Sequence, residues 1–308
     1  MRIRIIGIVC FAFVLAFLAD SALAQQSIGR VHRFSGELQI QHEGHILIPA
    51  KAGPIFRNAN LYPGDTVRTG RGAAELLFDD GTSIKMDENT IVQVDEVRLS
   101  AGGRKERNFK IVVGRILSKI QPKHAVRTFF EVPDGVAAIR GTVVEIWVDP
   151  GGNWQIQVHE GVAELTYYRM AAMFSVRRDC GFRMRHISAD EVEFECMGLG
   201  NIEILFRPSP YQRRNGATVV VPTIIRSFQA GDVIRVRRNP DGSYDIKEIK
   251  GKVTVAHMLP EEGTLFLPWW LEDPVIPRQT IGSPAGGQGS GLPGDGTNPP
   301  ATVIKPTG

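Results

Sequence analysis

Apolar residues recur at every second position along most of this chain, the pattern of strands that bury one face. Val144, Ile146 and Val148 alternate with Glu145 and Trp147, and Trp154, Ile156 and Val158 repeat the pattern after the loop Asp149–Asn153. A hairpin with one apolar face is predicted, with Trp147 on the other face among Glu145, Gln155 and Gln157. Ala73 to Phe78 and Thr82 to Met86 flank Asp79-Asp80-Gly81. A two-residue loop there would set Phe78 against Ser83. A three-residue loop with Gly81 left-handed sets Leu76 against Ile84, Ala74 against Met86 and Glu75 against Lys85. The second keeps one face apolar and pairs opposite charges on the other, so it is the expected register. Asn239-Pro240-Asp241-Gly242 reads as a type I turn that sets Val236 against Ile246 and Arg237 against Asp245. Further short strands are expected over 29–34, 37–41, 90–97, 201–206 and 217–221. The predicted body is all-β.

The stretch Phe129 to Thr142, FFEVPDGVAAIRGT, organises the centre of the chain. Phe129, Phe130 and Val132 are strand formers. Pro133-Asp134-Gly135 interrupts the ladder, because Pro gives no N–H and Gly accepts positive φ. Gly141 inside a strand pattern marks a bulge or a close backbone approach. Arg140 before it has two readings, a partner contact or a guanidinium that caps carbonyls in a tight β corner, and the corner is the simpler one.

Both ends of the chain depart from this pattern. Arg2 and Arg4 precede the apolar run Ile5 to Ala19 and the small-residue site Ala22-Leu23-Ala24, a secretory signal with the mature chain starting near Gln25. The run is short for a membrane span, which needs about 20 residues. An exported protein, periplasmic or secreted, with no integral membrane segment after cleavage is expected. From Glu272 onward Pro, Gly, Ser and Thr dominate, and such a tail buries too little to offset its ordering entropy. Just before it, LFLPWWL (Leu265 to Leu271) is a dense apolar cluster that could cap a core or grip a partner.

Charge and cysteine content narrow the classes. Lys plus Arg number 36 and Asp plus Glu 33, a net +3 that is too mild to imply nucleic acid. Of the three cysteines Cys10 leaves with the signal. A hairpin centred on Ser188 sets Cys180 against Cys196, Phe182 against Phe194, Met184 against Val192, Arg183 against Glu193 and Arg185 against Glu191. In an oxidising compartment this predicts one structural disulfide, Cys180–Cys196.

No catalytic signature is present: no GxSxG, no HExxH, no P-loop, and no mature Cys nucleophile beside a His. No cofactor, metal site or enzymatic activity is expected. His42 and His45 read as a polar turn, and Asp79-Asp80 as a loop and not a calcium site. The candidate interaction residues are Arg140 and the tryptophans Trp147, Trp154, Trp269 and Trp270, whose faces suit a protein contact or sugar stacking.

"VPDGVAAIRGTVVEIWV" followed by "QIQVHEGVAEL" resembles the second half of a FecR-type domain, and "LYPGDTVRTGRGAAELLFDDGTSIKMDENTIVQV" its first half. Gly64-Asp65, Thr69-Gly70, Asp80-Gly81, Arg140-Gly141-Thr142 and Glu160-Gly161 fall in the family's order. The resemblance implies a sandwich or short solenoid of hairpins over 61–168, after lead-in strands at 25–60. A smaller disulfide-linked β domain is expected over 169–271, then the tail at 272–308. Family members relay receptor occupancy to a sigma factor. This sequence departs from that plan, with no anti-sigma segment and no membrane span. What the resemblance implies is a module that binds another envelope protein, with a glycan or peptidoglycan binder as the alternative. The phrase "FQAGDVIRV…NPDGSYDI" also faintly echoes "LYPGDTVRT…FDDGTSIKM".

Overall fold

A computed structural model describes residues 26–47, 59–95, 98–99, 105–121, 126–212 and 216–257. The stretches read as a signal and a tail, with Trp269 and Trp270, lie outside the described residues. The described residues form nineteen strands and no helix. These are β1 (Gly29–His42), β2 (His45–Leu47), β3 (Asn60–Leu61), β4 (Thr66–Phe78), β5 (Ser83–Met86), β6 (Ile91–Val94) and β7 (Arg98–Leu99). Then come β8 (Lys105–Lys119), β9 (Arg127–Val132), β10 (Gly135–Val148), β11 (Trp154–Tyr167), β12 (Ala172–Arg177) and β13 (Cys180–His186). The last are β14 (Glu191–Gly198), β15 (Asn201–Gln212), β16 (Thr218–Gln229), β17 (Val233–Arg238), β18 (Tyr244–Lys250) and β19 (Thr254–His257).

Five of these strands, β1, β4, β8, β10 and β11, are too long for one layer, and each divides its length between two. The late half of β4 pairs with β5 and its early half with β6. The late half of β8 pairs with β5 and β10, the early half with β6 and β9. The start of β11 pairs with β13 and its end with β12. A front sheet therefore runs β3-β1-β4-β5-β8-β10-β11-β13-β14-β17-β18, and a rear sheet β2-β1-β4-β6-β8-β9-β10-β11-β12-β15-β16-β19. Side chains from the two sheets meet inside. Phe78 of the front packs edge-on against Phe109 of the rear at 4.9 Å, and Phe182 lies 4.1 Å from Phe174 between ring centres.

Each long strand changes the parity of its buried positions where it crosses. Val67 and Thr69 point inward early in β4, but Ala74, Leu76 and Phe78 do so later. In β11 the switch is from Trp154, Ile156 and Val158 to Ala163, Leu165 and Tyr167. A glycine with positive φ stands near every switch: Gly36, Gly72, Gly114, Gly141 and Gly161. The reason is clearest at Gly114, with φ +103°, where a Cβ would sit 2.3 Å from Thr90 Oγ1. The crossings thus combine an extra residue, which flips the side-chain alternation, with backbone contact too close for a side chain.

The chosen β4–β5 register is the one observed, with Leu76 opposite Ile84, Ala74 opposite Met86 and Glu75 opposite Lys85. The hairpin β10–β11 also pairs as expected, Val144 with Val158 and Val148 with Trp154, and β17–β18 sets Val236 against Ile246. One five-residue loop closes all three. Phe78, Asp149 and Asn239 each donate their N–H to the carbonyl four residues on, and Gly81, Gly152 and Gly242 take φ of 79°, 79° and 86°. At Pro133-Asp134-Gly135 the left-handed residue is Asp134, with φ 56°, and Gly135 already opens β10.

The echo between the two Gly-Asp phrases has a structural counterpart. Asp65 and Asp232 each accept a 2.8 Å hydrogen bond through Oδ2 from the N–H three residues earlier, at Tyr62 and Gln229. Gly64 and Gly231 then donate to the adjoining strand at Val94 and Cys196, whose N–H groups donate back to Asp65 and Asp232.

The disulfide expectation is corrected. Cys180 and Cys196 are both free and buried. Cys180 stands opposite Gly198, and Cys196 opposite Phe182, a register two residues from the expected one. A slip of two leaves every side chain on its own face and still pairs Arg with Glu, so alternation could not distinguish the registers. Observed pairs are Arg183 with Glu195 and Arg185 with Glu193. This register also lets β17 join in, since Glu193 takes Arg235 and Glu191 takes Arg237.

Candidate functional site

The outer face of the front sheet holds the clearest aromatic feature. Trp147 is 38% exposed, on the face that the alternation predicts. It stands opposite Arg115 on β8 and Gln155 on β11. Both neighbours are held in place. Arg115 Nε donates to Glu145 Oε1 at 2.7 Å, and this bond together with the Glu145 charge raises the guanidinium pKa. Gln155 Oε1 accepts from Nε and Nη2 of Arg183 at 3.2 and 3.0 Å, while Arg183 Nη1 reaches Glu195 at 2.9 Å. The row continues through Arg185–Glu193, Arg235–Glu193 and Arg237–Glu191. Trp147 is therefore a fixed aromatic on a surface whose flanking charges are already paired, the arrangement of an anchor residue that loses little freedom on contact.

The other predicted residues fall elsewhere. Trp154 is 1% exposed and packs among Phe174, Phe182 and Tyr167, so it is a core residue and cannot serve as a surface contact. Its place follows from the alternation that buries Ile156 and Val158 beside it. Arg140 stands opposite Val162 in the ladder, and its side chain lies outside the described residues. His42 Nδ1 meets Asp65 Oδ1 at 2.6 Å. Among the described residues no group of three or more His, Cys, Asp or Glu is placed to hold a metal, and no helix is long and apolar enough to cross a membrane.

Residues 65–164 match the family described as FecR protein. This stretch is a FecR domain. It opens at Asp65, whose buried carboxylate closes the Tyr62–Asp65 turn, and ends at Glu164 on β11. Trp147, Arg115 and Gln155 all lie inside it. No curated protein matches the chain. The FecR domain does not close its own core: Trp154 packs on Phe174 and Phe182, both beyond the matched residues. The match itself assigns no catalytic activity.

Two features escaped the sequence reading. One is the cluster around the turn at the end of β9. Asp134 takes Arg169 Nε at 2.7 Å and faces His186 Nε2 at 3.8 Å. Burial, helped by Arg169, lowers the His186 pKa against the opposing pull of Asp134. Tyr168 nearby is pushed up to about 12 by burial and by Glu131. The other is Arg107, buried at the end of the core, with Nη1 2.7 Å from Asp80 Oδ1 and its guanidinium 4.9 Å above the Phe78 ring. Arg107 occupies an inward position in the same parity as Phe109 and Ile111, which only the parity switch at Gly114 makes legible.

Proposed function

We propose that the chain is a non-enzymatic module of the bacterial envelope, exported to the periplasm or beyond, that contacts another envelope protein through the outer front face of its FecR domain. The observation that carries this reading is Trp147. It is the aromatic among the large apolar side chains exposed on the described residues, and its flanks Arg115 and Gln155 are already anchored. Hot spots of protein contacts have this character, a rigid aromatic within a polar surround. The burial of Trp154 favours a protein contact over an extended sugar-stacking platform. Affinity purification from envelope extract tests the reading. The chain should retain one protein partner, and Trp147→Ala should lose it by tenfold or more. A second reading rests on the Gln155 amide beside Trp147, which suits the hydroxyls of a glycan. Sedimentation with purified cell-wall material that Trp147→Ala abolishes, without a protein partner, would favour it instead.

A further inference from the structure

The hairpin β1–β2 sets two histidines side by side. Its loop is Glu43-Gly44, with φ of 46° and 83°, and His42 and His45 stand directly opposite each other behind it. Opposed residues point to the same face of a sheet, so both imidazoles lie on the face that carries the buried Ile40. The short strand β2 is the edge of the rear sheet. The pair therefore sits at the rim of the core, His42 partly buried and His45 exposed.

One of the two is already oriented. His42 Nδ1 lies 2.6 Å from Oδ1 of Asp65, a fully buried carboxylate. The carboxylate accepts, so in the neutral ring Nδ1 carries the proton and Nε2 keeps its lone pair. The Tyr62 ring packs against the same imidazole, 5.0 Å between centres. A carboxylate behind a histidine, with the other ring nitrogen bare, is the support that metal-ligating imidazoles have. Asp65 does not need His42 for its turn. The turn uses Oδ2, which accepts the Tyr62 N–H at 2.8 Å. Asp232 builds the same turn on the Gln229 N–H, and beside its Oδ1 lies Gly251. His42 is thus an addition to the turn and not a part of it.

We propose that His42 and His45 bind a divalent transition-metal ion such as Zn²⁺ or Cu²⁺, with Asp65 as the carboxylate that fixes His42. Imidazoles on Cβ atoms about 5 Å apart can each place a nitrogen about 2 Å from one ion. Nitrogen ligands suit these ions, whereas Mg²⁺ and Ca²⁺ take oxygen. Among the described residues no group of three or more His, Cys, Asp or Glu is placed to hold a metal, so the two imidazoles form an open site whose other positions fall to water. A bound ion would tie β2 to β1 and, through Asp65, to the turn before β4. The site shares no residue with the Trp147 face and stands whether or not that reading holds.

Isothermal titration of the full chain with ZnCl₂, and separately with CuCl₂, in a non-coordinating buffer tests this. The wild type is expected to bind one ion with micromolar affinity, Cu²⁺ more tightly than Zn²⁺, and Zn²⁺ should raise its melting temperature. His45→Ala removes an exposed side chain, so it should leave the fold intact and weaken Zn²⁺ binding about tenfold or more. Asp65→Asn should lose about tenfold through the orientation of His42. His32→Ala, at another exposed histidine, should change the affinity less than twofold. Thermal melts without metal verify that each variant folds, and if Asp65→Asn does not, His45→Ala decides alone. Electron paramagnetic resonance of the Cu²⁺ form should show two imidazole nitrogens in the wild type and one in His45→Ala. No binding by the wild type overturns the proposal. So do equal losses in His32→Ala and His45→Ala, or a Cu²⁺ spectrum that His45→Ala leaves unchanged.

Discussion

Glu164 shows how one side chain links the rear face to stability. Burial lifts its carboxyl to about 7, against the opposing charge of Arg127. The folded state therefore holds this proton where the unfolded chain, with an ordinary glutamate, has released it. Between about pH 4.5 and 7 the folded state binds more protons, so this group's contribution falls as pH rises. His186 acts in the other direction. Its depressed pKa makes the folded state lose stability as pH falls below the ordinary histidine value. Because the two slopes oppose, the comparison with Glu164→Gln isolates the first. The variant should be more stable than the wild type at pH 8, on the order of 1–2 kcal/mol after screening by water, and similar to it at pH 4 by urea unfolding. A second substitution probes the core. Trp154→Ala should cost about 3–5 kcal/mol. Trp154→Phe should cost much less, since the indole Nε1 is buried without a partner and its removal leaves no bond broken. Urea midpoints of the two variants check this. At single positions, alternation alone placed Trp147 outward and Ile156 inward. It could not foresee the raised carboxyl of Glu164, which depends on neighbours from other strands.

The strands were legible in proportion to how local their pairing is. The three hairpins closed by Asp-Gly or Gly-rich loops take the expected registers, because a tight loop fixes the partner of every residue behind it. The β13–β14 hairpin slipped by two, since its loop, Ile187 to Asp190, carries no glycine to pin the centre. The thiols follow from that slip. Cys196 is pushed to about 12, chiefly by burial, and Cys180 is raised as well. Both should resist a thiol reagent in the native chain and react in denaturant, and peptide mapping without reductant should find no Cys180–Cys196 bridge. A bridged peptide would contradict the register. The long strands were read from sequence as pairs of short ones, as with 29–34 and 37–41 in β1, because the parity switch looks like a break. Gly114 tests that device. Gly114→Ala forces a Cβ against Thr90 at positive φ and should destabilise by on the order of 2–4 kcal/mol, whereas Gly44→Ala, with nothing within 4 Å, should cost about 1 kcal/mol. Thermal or urea denaturation distinguishes them.

At the scale of the whole molecule, the FecR domain and the strands after it share one interior. The ladder passes from β11 into β12 and β13 without interruption, and the buried side chains from Val31 to Val236 form one cluster. The pattern of the sequence allowed an all-β body and the family's order of turns. It could not show that later strands complete the core, since strands that are neighbours in space, such as β14 and β17, are far apart in the chain. One shared core is what holds the front face, with its charges paired around Trp147, against the strands of the rear sheet. Urea unfolding followed by two probes measures this directly: the fluorescence of Trp154 in a variant whose other three tryptophans are phenylalanine, and the thiol exposure of Cys180 and Cys196 beyond the FecR domain. A shared core predicts coincident transitions with one midpoint. A FecR domain that unfolds at a midpoint clearly separate from that of the Cys196 segment would contradict it.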